Sequence, residues 1–316
     1  MQEISTSQAK LQIVIVNYKT SAFVIRCVQS IIGHEVADAA QITIVDNASP
    51  DNSIDVIRNA LPAVRLVPST KNGGFGYGVN LGAAAGSGAY VLVLNPDTYF
   101  QDNSVTRVIE YLDANPQVGL VGLDLTNPDG SRQYSARRFY SLLDVVARRV
   151  RSVGLLMPER IERHLMKSQW SGAAPFDAEW VMGTGFIVRR TLFHEIGGMD
   201  DSYFLYMEDL DLCARVWHAG KKVQCIPGAR LYHEHQRSSA NGLTALMKRA
   251  GRSHLKSLVR FSRKFTMPVV SQPGIAAIVR AYAKNGYYQH DVNDGADFLS
   301  NLRLGEVRSE DLTNAS

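Results

Sequence analysis

The stretch "LQIVIVNYKTSAFVIRCVQSIIGHEVADAAQITIVDN", residues 11–47, contains the pattern that decides the fold. Its two runs of β-branched and aliphatic residues, 11–18 and 41–47, flank a segment, 21–32, in which apolar residues recur at helical spacing. Continuous Val/Ile/Leu runs of this length are typical of parallel strands that are covered on both faces. A strand, a helix and a strand in this order predict a right-handed crossover within one sheet.

The same alternation continues through the first third of the chain. Strand-like runs follow at 64–69 and 89–97, and helical patterns at 51–60, 76–86 and 103–114. Repeated strand and helix units predict an α/β fold with a doubly wound, mostly parallel sheet. A chain of 316 residues with 45% hydrophobic composition can form one large domain with an appendage.

Polar residues end three of these strands. Asn17 and Tyr18 follow the first strand, Asp46 and Asn47 end the second, and Asn95 and Asp97 follow the fourth. In doubly wound sheets ligands bind beyond the carboxyl ends of the strands, so we expect these side chains to line a site. A carboxylate there can ligate a divalent cation that also binds a diphosphate. The alternative for "NPDT" is a turn in which a side chain bonds to the backbone.

The second half of the chain has weaker periodicity. After a basic stretch at 132–167, a strand is predicted at 179–190 and a strand pair at 221–234. A basic tail follows the last strand. We therefore place a domain boundary near residue 240, with a mainly helical C-terminal region at 241–316.

The composition argues against several classes of protein. Residues 1–10 lack the apolar core of a signal peptide, and no apolar run approaches the ~20 residues needed to span a bilayer. We therefore expect a cytoplasmic protein. Its three cysteines, Cys27, Cys213 and Cys225, are too far apart for a disulfide framework or a CxxC metal site. We interpret them as buried core thiols.

The glycine-rich stretch "NGGFGYGVNLG", residues 72–82, has two interpretations. Its backbone N–H groups can approach a ligand and cradle phosphate at a helix start. Alternatively, its glycines allow the following helix to pack tightly against the sheet. The spacing of its glycines does not match a dinucleotide-binding signature, because no G-x-G-x-x-G follows the first strand.

The stretch "FLYMEDLDLCARV", residues 204–216, contains three acids at the start of a predicted helix. Glu208, Asp211 and Arg215 fall on one face, where Arg215 neutralises Asp211, and we interpret this as a polar face. Asp209 instead shares the apolar stripe that faces the core. It is either a helix-start carboxylate stabilised by the helix dipole or a general base in a partly desolvated cleft.

The stretch "LYHEH", residues 231–235, has His233 and His235 on one face of a strand. Such a pair is usually structural or exposed, and too few ligands are present for zinc. The more plausible metal interpretation is that one histidine shares a cation with Asp97, since imidazole suits ions such as Mn²⁺.

The basic tail contains a helical pattern at 246–265. Leu255, Leu258, Val259 and Ser262 form a narrow apolar stripe among basic residues, and no Asp or Glu occurs from 236 to 290. This pattern is typical of an amphipathic helix that lies on an anionic membrane. The alternative is packing on the preceding domain with the charges in solvent. Nucleic-acid binding is disfavoured, because aromatic residues are not interleaved with the basic ones.

Taken together, these motifs resemble an inverting family-two glycosyltransferase of the GT-A type, in its bacterial rhamnosyltransferase-like branch. The resemblance covers about residues 11–240. The motifs that carry it are, in order, "VIVNY", "IVDNASPDNS", "NGGFGYGVNLG", "LNPDT", "IGGMDDSYFLYMEDLDLCAR" and "ARLYHEH".

The resemblance implies a GT-A catalytic domain at 1–240, with donor binding in 11–130 and the acceptor side and base in 131–240. It implies transfer of L-rhamnose from dTDP-L-rhamnose, with Mn²⁺ or Mg²⁺, onto a saccharide or polyprenyl-linked saccharide in cell-surface polysaccharide assembly. The alternative is a catalytically silent nucleotide-sugar or glycan-binding module.

The resemblance also implies roles for individual residues. Asp209 would be the catalytic base and Glu208 its supporting acid, while Asp97 and His233 would bind the metal. Asn95 stands where the family's Asp-x-Asp motif begins with an acid. The donor-binding residues would be Asn17, Tyr18, Asp46, Asn72, Gly73, Asn95 and Asp97.

Overall fold

The computed structural model describes residues 10–149, 154–234 and 249–285. Its strands are β1 Leu11–Asn17, β2 Ile42–Asp46, β3 Arg65–Pro68, β4 Tyr90–Leu94, β5 Thr98–Tyr99, β6 Val118–Thr126, β7 Ala136–Arg137, β8 Phe176–Asp177, β9 Trp180–Val181, β10 Gly185–Arg189 and β11 Lys222–His233. Its α-helices are α1 Ser21–Gly33, α2 Ser53–Ala60, α3 Phe75–Ala84, α4 Ser104–Ala114, α5 Leu142–Arg149, α6 Pro158–His164, α7 Arg190–Glu195, α8 Glu208–His218, α9 Arg249–Phe265 and α10 Ile275–Lys284. Short 3₁₀ turns lie at Ala39–Gln41 and Lys167–Ser171.

The main sheet has the strand order β3-β2-β1-β4-β10-β6-β11-β5, and β8 also pairs with β11. Strands β1 to β4 are parallel, as the sequence predicts. Strand β10 then lies antiparallel between β4 and β6, and β11 runs parallel to β6. Strands β7 and β9 form a separate small sheet beside it.

Helices cover both faces of the sheet. Within β1, Ile13 and Ile15 belong to the core layer beneath α1, α2 and α4. Val14 and Val16 point to the opposite layer, which contains side chains of α3, α8 and the two C-terminal helices. This alternation explains why the first strand is a continuous apolar run. All three cysteines are buried free thiols, as predicted.

Two predicted strands differ from the structure. The strand expected at 179–190 is divided into β9 and β10, which lie in different sheets. The pair expected at 221–234 is one long strand, β11, whose register shifts between Cys225 and Arg230. Pro227 has no N–H for the ladder and Gly228 has a φ of 80°, so these two residues bulge without ending the strand.

The C-terminal helices pack against α8. Phe261, Phe265 and Tyr282 are buried in the same core layer as Cys213 and Val216. The predicted boundary near residue 240 lies outside the described residues and stays a prediction. No helix in the described parts of the chain has an apolar stretch long enough to cross a bilayer.

The inner face of α9 includes only part of the stripe predicted from the sequence, since Leu258 packs against the core. Leu255 and Val259 are exposed, at 54% and 44%, whereas Ser257, Phe261 and Lys264 are buried. Packing on the preceding part of the chain therefore uses mainly the neighbouring face of the helix. The expectation that the charges of this helix all face solvent is wrong for Lys264, which α8 and its preceding loop cover.

Candidate active site

The ends of β1 and β2 form a hydrogen-bonded pair. Asn17 Nδ2 donates to Asp46 Oδ2 at 2.6 Å, and Asp46 Oδ1 accepts from the Ser49 N–H at 2.8 Å. Asn17 and Asp46 are fully buried, whereas Tyr18 is 43% exposed at the rim. The predicted donor residues of these two strands therefore lie together at one edge of the sheet.

Asn47 connects this edge to the glycine-rich loop. Its Nδ2 donates to Asn72 Oδ1 at 3.2 Å and to the Gly74 carbonyl at 2.9 Å. Its buried Oδ1 has no hydrogen-bond partner in the described residues. The sequence places Asn47 among the strand-end residues expected to line the site, but the predicted donor set omits it.

The glycines of 72–82 have different uses. A Cβ on Gly78 would lie 2.7 Å from Val16, and one on Gly82 would overlap Val14, so both allow α3 to pack on the sheet. Gly74 has a φ of 96°, and a Cβ there would overlap the Phe204 carbonyl. The loop with Asn72 and Gly73 therefore lies against the segment that leads to the acids of α8.

A turn after β4 presents Asp97. The Asn95 N–H donates to the Thr184 carbonyl at 2.9 Å, and Thr98 Oγ1 donates back to the Asn95 carbonyl at 2.7 Å. Asp97 Oδ2 lies 3.4 Å from His233 Nε2 on β11. The two predicted metal ligands, 136 positions apart in the sequence, thus meet at the same edge.

The donor set of this pair fits a divalent cation. A carboxylate oxygen and an imidazole nitrogen suit an ion such as Mn²⁺, which also takes oxygen ligands from phosphates. Within the described residues there is no group of three or more His, Cys, Asp or Glu side chains that could hold a metal by itself. His235 lies outside the described residues.

Helix α8 begins at Glu208, directly after two residues with positive φ, Tyr206 at 69° and Met207 at 73°. Asp209 Oδ2 accepts from the Gly183 N–H at 3.0 Å, and Asp209 Oδ1 accepts from the Leu210 N–H at 2.9 Å. Asp209 is partly exposed, whereas Glu208 is buried.

The two neighbouring acids differ in how they hold a proton. Burial raises the pKa of Glu208 well above its usual range, and the nearby Asp209 raises it further. Burial also raises the pKa of Asp209, but hydrogen bonds from Gly183 and Leu210 oppose that rise. When the two acids together hold one proton, that proton is therefore on Glu208, and Asp209 is the ionised carboxylate.

The polar face predicted for α8 is wrong. Asp211 and Arg215 do pair, with 2.6 Å from Nε to Oδ1, but their side chains are only 0% and 4% exposed. Lys264 of α9 lies 3.0 Å from Asp211 and 3.2 Å from Asp200. The pair is buried because the C-terminal helices cover this side of α8.

The dipeptide Gly183–Thr184 connects the predicted base to the predicted metal turn. The Gly183 N–H holds the Asp209 carboxylate, and the next carbonyl, of Thr184, holds the Asn95 N–H. A Cβ on Gly183 would lie 3.4 Å from the Asp209 Cβ, an ordinary van der Waals contact, so the close approach does not require glycine at this position. The structure thus brings the two predicted parts together through one short segment.

The model of the family described as Glycosyl transferase family 2 matches residues 12–211. The chain belongs to glycosyl transferase family 2. This glycosyltransferase is 30% identical over 209 residues to an N-acetylglucosaminyl-diphospho-decaprenol L-rhamnosyltransferase of Mycobacterium tuberculosis. The aligned part covers 63% of this chain and 67% of the relative. The chain is 26% identical over 196 residues to the rhamnosyltransferase WbbL of Escherichia coli K12, covering 60% and 69%.

Solved structures of similar fold confirm the GT-A expectation for this glycosyltransferase. GalNAc-T7 with UDP, GalNAc and Mn²⁺ has a TM-score of 0.59 at 15% identity, covering 95% of this chain and 59% of that structure. The mannosyltransferase PcManGT of Pyrobaculum calidifontis, with GDP-Man and Mn²⁺, has a TM-score of 0.56 at 14% identity, covering 97% and 79%. At these identities the similarity concerns the fold.

Proposed function

We propose that the protein transfers L-rhamnose from dTDP-L-rhamnose, with inversion, onto a saccharide or polyprenyl-linked saccharide acceptor in cell-surface polysaccharide assembly. The names of the two rhamnosyltransferase relatives support the sugar, and the decaprenol-linked substrate in one name supports the acceptor class. The observation that carries the proposal is the Asp209 carboxylate, which Gly183 holds beside the Asn95–Asp97 turn.

Asp209 is the proposed general base. A sugar hydroxyl is a weak nucleophile at neutral pH, so a carboxylate must take its proton as the oxygen attacks the anomeric carbon. The two N–H groups that bond to Asp209 fix its orientation. Glu208, as the supporting acid, keeps the shared proton and leaves Asp209 available. Attack from the side opposite the departing diphosphate gives inversion.

The strand ends are the proposed donor site. Asn17, Tyr18, Asp46, Asn72 and Gly73 would contact the base and ribose of the nucleotide. Asp46 suits this role because the bonds from Asn17 and Ser49 hold its carboxylate in place at the sheet edge. Asn95 would contribute through the shape of its turn.

Asp97 and His233 would hold Mn²⁺ or Mg²⁺. When bound, such a cation neutralises the charge that develops on the leaving diphosphate. The Mn²⁺ in the titles of both structures of similar fold supports this assignment. In the presence of dTDP, Mn²⁺ should raise the melting temperature of the parent protein, since a ligand at 100 times its Kd adds ~2.7 kcal/mol to the free energy of unfolding. An Asp97→Ala variant should lose this Mn²⁺-dependent rise. An equal response in the variant would contradict the metal assignment.

The base assignment is tested with Asp209→Asn, which keeps an oxygen that can accept from Gly183. We expect transfer to fall ~10²–10⁴-fold with the melting temperature preserved. Asp55→Asn, on the exposed part of α2, is the control and should transfer normally. Unchanged transfer by Asp209→Asn would rule out the base. Nucleotide-sugar binding without transfer by the parent, across a panel of donors and acceptors, would instead indicate the silent binding module.

Peripheral contact with an anionic membrane, on the cytoplasmic face, is part of the proposal. The outer face of α9 has the exposed Leu255 and Val259 next to Lys256, Arg260 and Arg263, which are also exposed. Aliphatic side chains among basic ones are typical of helices that lie at a lipid surface. Such contact would bring the enzyme to a lipid-linked acceptor.

A further inference from the structure

We propose that Gln133 is a positioning residue that sets the tautomer of His233, so that Nε2 presents its lone pair beside Asp97. The inference rests on the proposed metal role of these two ligands. Gln133 lies after β6, 100 positions from His233, and was not among the residues predicted from the sequence. Its role follows from the directions of a chain of hydrogen bonds.

The chain begins at a carboxylate in the turn at 126–130. Ionised carboxylates only accept hydrogen bonds, so the 2.6 Å contact of Ser131 Oγ with Asp129 Oδ1 uses the hydroxyl hydrogen. Ser131 Oγ must therefore accept in its other contact, at 2.8 Å from Asn127 Nδ2. This bond orients the Asn127 amide, with its oxygen directed toward Gln133.

The same logic fixes the amide of Gln133. Its Nε2 donates to Asn127 Oδ1 at 2.5 Å and to the His233 carbonyl at 2.9 Å, which uses both amide hydrogens. Its Oε1 is then the atom 2.7 Å from His233 Nδ1. Since Oε1 can only accept, Nδ1 carries the hydrogen and donates.

The neutral ring consequently has its lone pair on Nε2. That atom lies 3.4 Å from Asp97 Oδ2, so two electron-pair donors face each other across the predicted metal position. Two acceptors at this distance are stabilised by a cation that both can ligate. A histidine with the other tautomer would donate from Nε2 to Asp97 and compete with the cation.

The turn also holds Gln133 through its backbone. The Gln133 N–H donates to the Leu125 carbonyl and the Asn127 N–H to the Ser131 carbonyl, both at 2.7 Å. The amide is therefore placed by two elements, the end of β6 and the turn that follows. Outer partners of metal-binding histidines typically affect metal affinity by about 10–100-fold.

The test uses two variants of the full chain. Gln133→Met removes the amide at similar size, and Gln133→Glu keeps an acceptor for Nδ1. We expect Gln133→Met to bind Mn²⁺ about 10–100-fold more weakly in the presence of dTDP, measured by calorimetry. Gln133→Glu loses the two bonds that the amide donates and should therefore recover only part of the affinity. Gln117→Met, at an exposed glutamine, is the control and should match the parent.

The tautomer itself is measured without metal, by ¹⁵N–¹H correlation of the imidazole rings, with the His233 signal assigned as the one lost in His233→Gln. We expect the Nδ1–H form in the parent and a shift toward Nε2–H in Gln133→Met. An Nε2–H parent, or Mn²⁺ affinity unchanged in Gln133→Met, would overturn this inference and leave the base assignment intact. Mn²⁺ binding that does not require Asp97 would overturn the proposed metal site and this inference with it.

Discussion

Replacing Lys264 by Met tests whether the C-terminal helices hold the segment that carries the base. The Lys264 ammonium lies between two carboxylates, 3.0 Å from Asp211 and 3.2 Å from Asp200, and its side chain is 3% exposed. With Arg215 these groups form a balanced set of two acids and two bases. Methionine fills a similar volume but leaves one negative charge uncompensated.

The expected loss follows from this geometry. Removing one partner of a buried ion pair typically costs about 3–5 kcal/mol, because the remaining charge is left without compensation. Arg215 still bonds to Asp211 and the Asp200 side chain is 16% exposed, so the lower end applies, about 3 kcal/mol. The melting temperature of a larger domain changes less per kcal/mol than that of a small one, so a loss of this size lowers the melting temperature by about 6 °C.

The assay is urea unfolding of the parent, Lys264→Met and the control Arg263→Ala, whose exposed side chain should matter by less than about 0.5 kcal/mol. Burial by itself raises the pKa of Asp200, but Lys264, Ser202 and Arg215 together outweigh it, and the folded-state pKa is lowered. That stabilisation is present above the unfolded-state pKa of Asp200 and is lost as pH falls through the folded-state pKa. The difference in the free energy of unfolding between the parent and Lys264→Met should therefore become smaller as pH falls. A loss below about 1 kcal/mol at neutral pH, or one equal to the control, would refute the reasoning.

Three further predictions concern the glycine loop, the base and the outer face of α9. Gly74→Ala should cost about 1–3 kcal/mol in thermal unfolding, because its φ is 96° and a Cβ overlaps Phe204; Gly33→Ala, with open space, should not. Because burial raises the pKa of Asp209, the rate of transfer should be full above that pKa and should decline below it. This decline should occur at a higher pH than the usual pKa range of aspartate, and a rate that stays constant as pH falls to that usual range would contradict the base assignment. The double variant Leu255→Glu, Val259→Glu should bind anionic vesicles more weakly in cosedimentation, whereas the control Ile32→Glu, at a similarly exposed aliphatic residue, should bind as the parent does. Equal binding by the parent, the double variant and the control would reject the membrane surface.

Local patterns were sufficient to predict the first four strands and the residues at their ends. Runs such as 11–17 are apolar throughout because both faces of the strand are buried, and strand ends are marked by abrupt polar residues. These features depend on spacing of a few residues. Helical periodicity also places Asp209 beside Leu212, Cys213 and Val216, but it did not predict which acids of α8 are buried. Asp209 is partly exposed, whereas Glu208 and Asp211 are buried.

Contacts between segments that are distant in the sequence could not be predicted from local patterns. The polar face assigned to Asp211 and Arg215 is buried, because helices more than 30 residues later in the chain cover it. The buried face of α9 was not predicted, because Lys264, which belongs to it, looks like a surface residue in sequence. The strand expected at 179–190 divides because its two halves pair with different partners.

The sequence by itself determined which chemical groups stand at the ends of the strands, because the strands follow from local periodicity. Only the tertiary structure decided what those groups touch. It joined His233 to Gln133 and Asp97, and it placed Gly183 against Asp209. Hydrogen-bond direction and burial, which set tautomers and pKa values, depend on neighbours that the chain brings together from far apart.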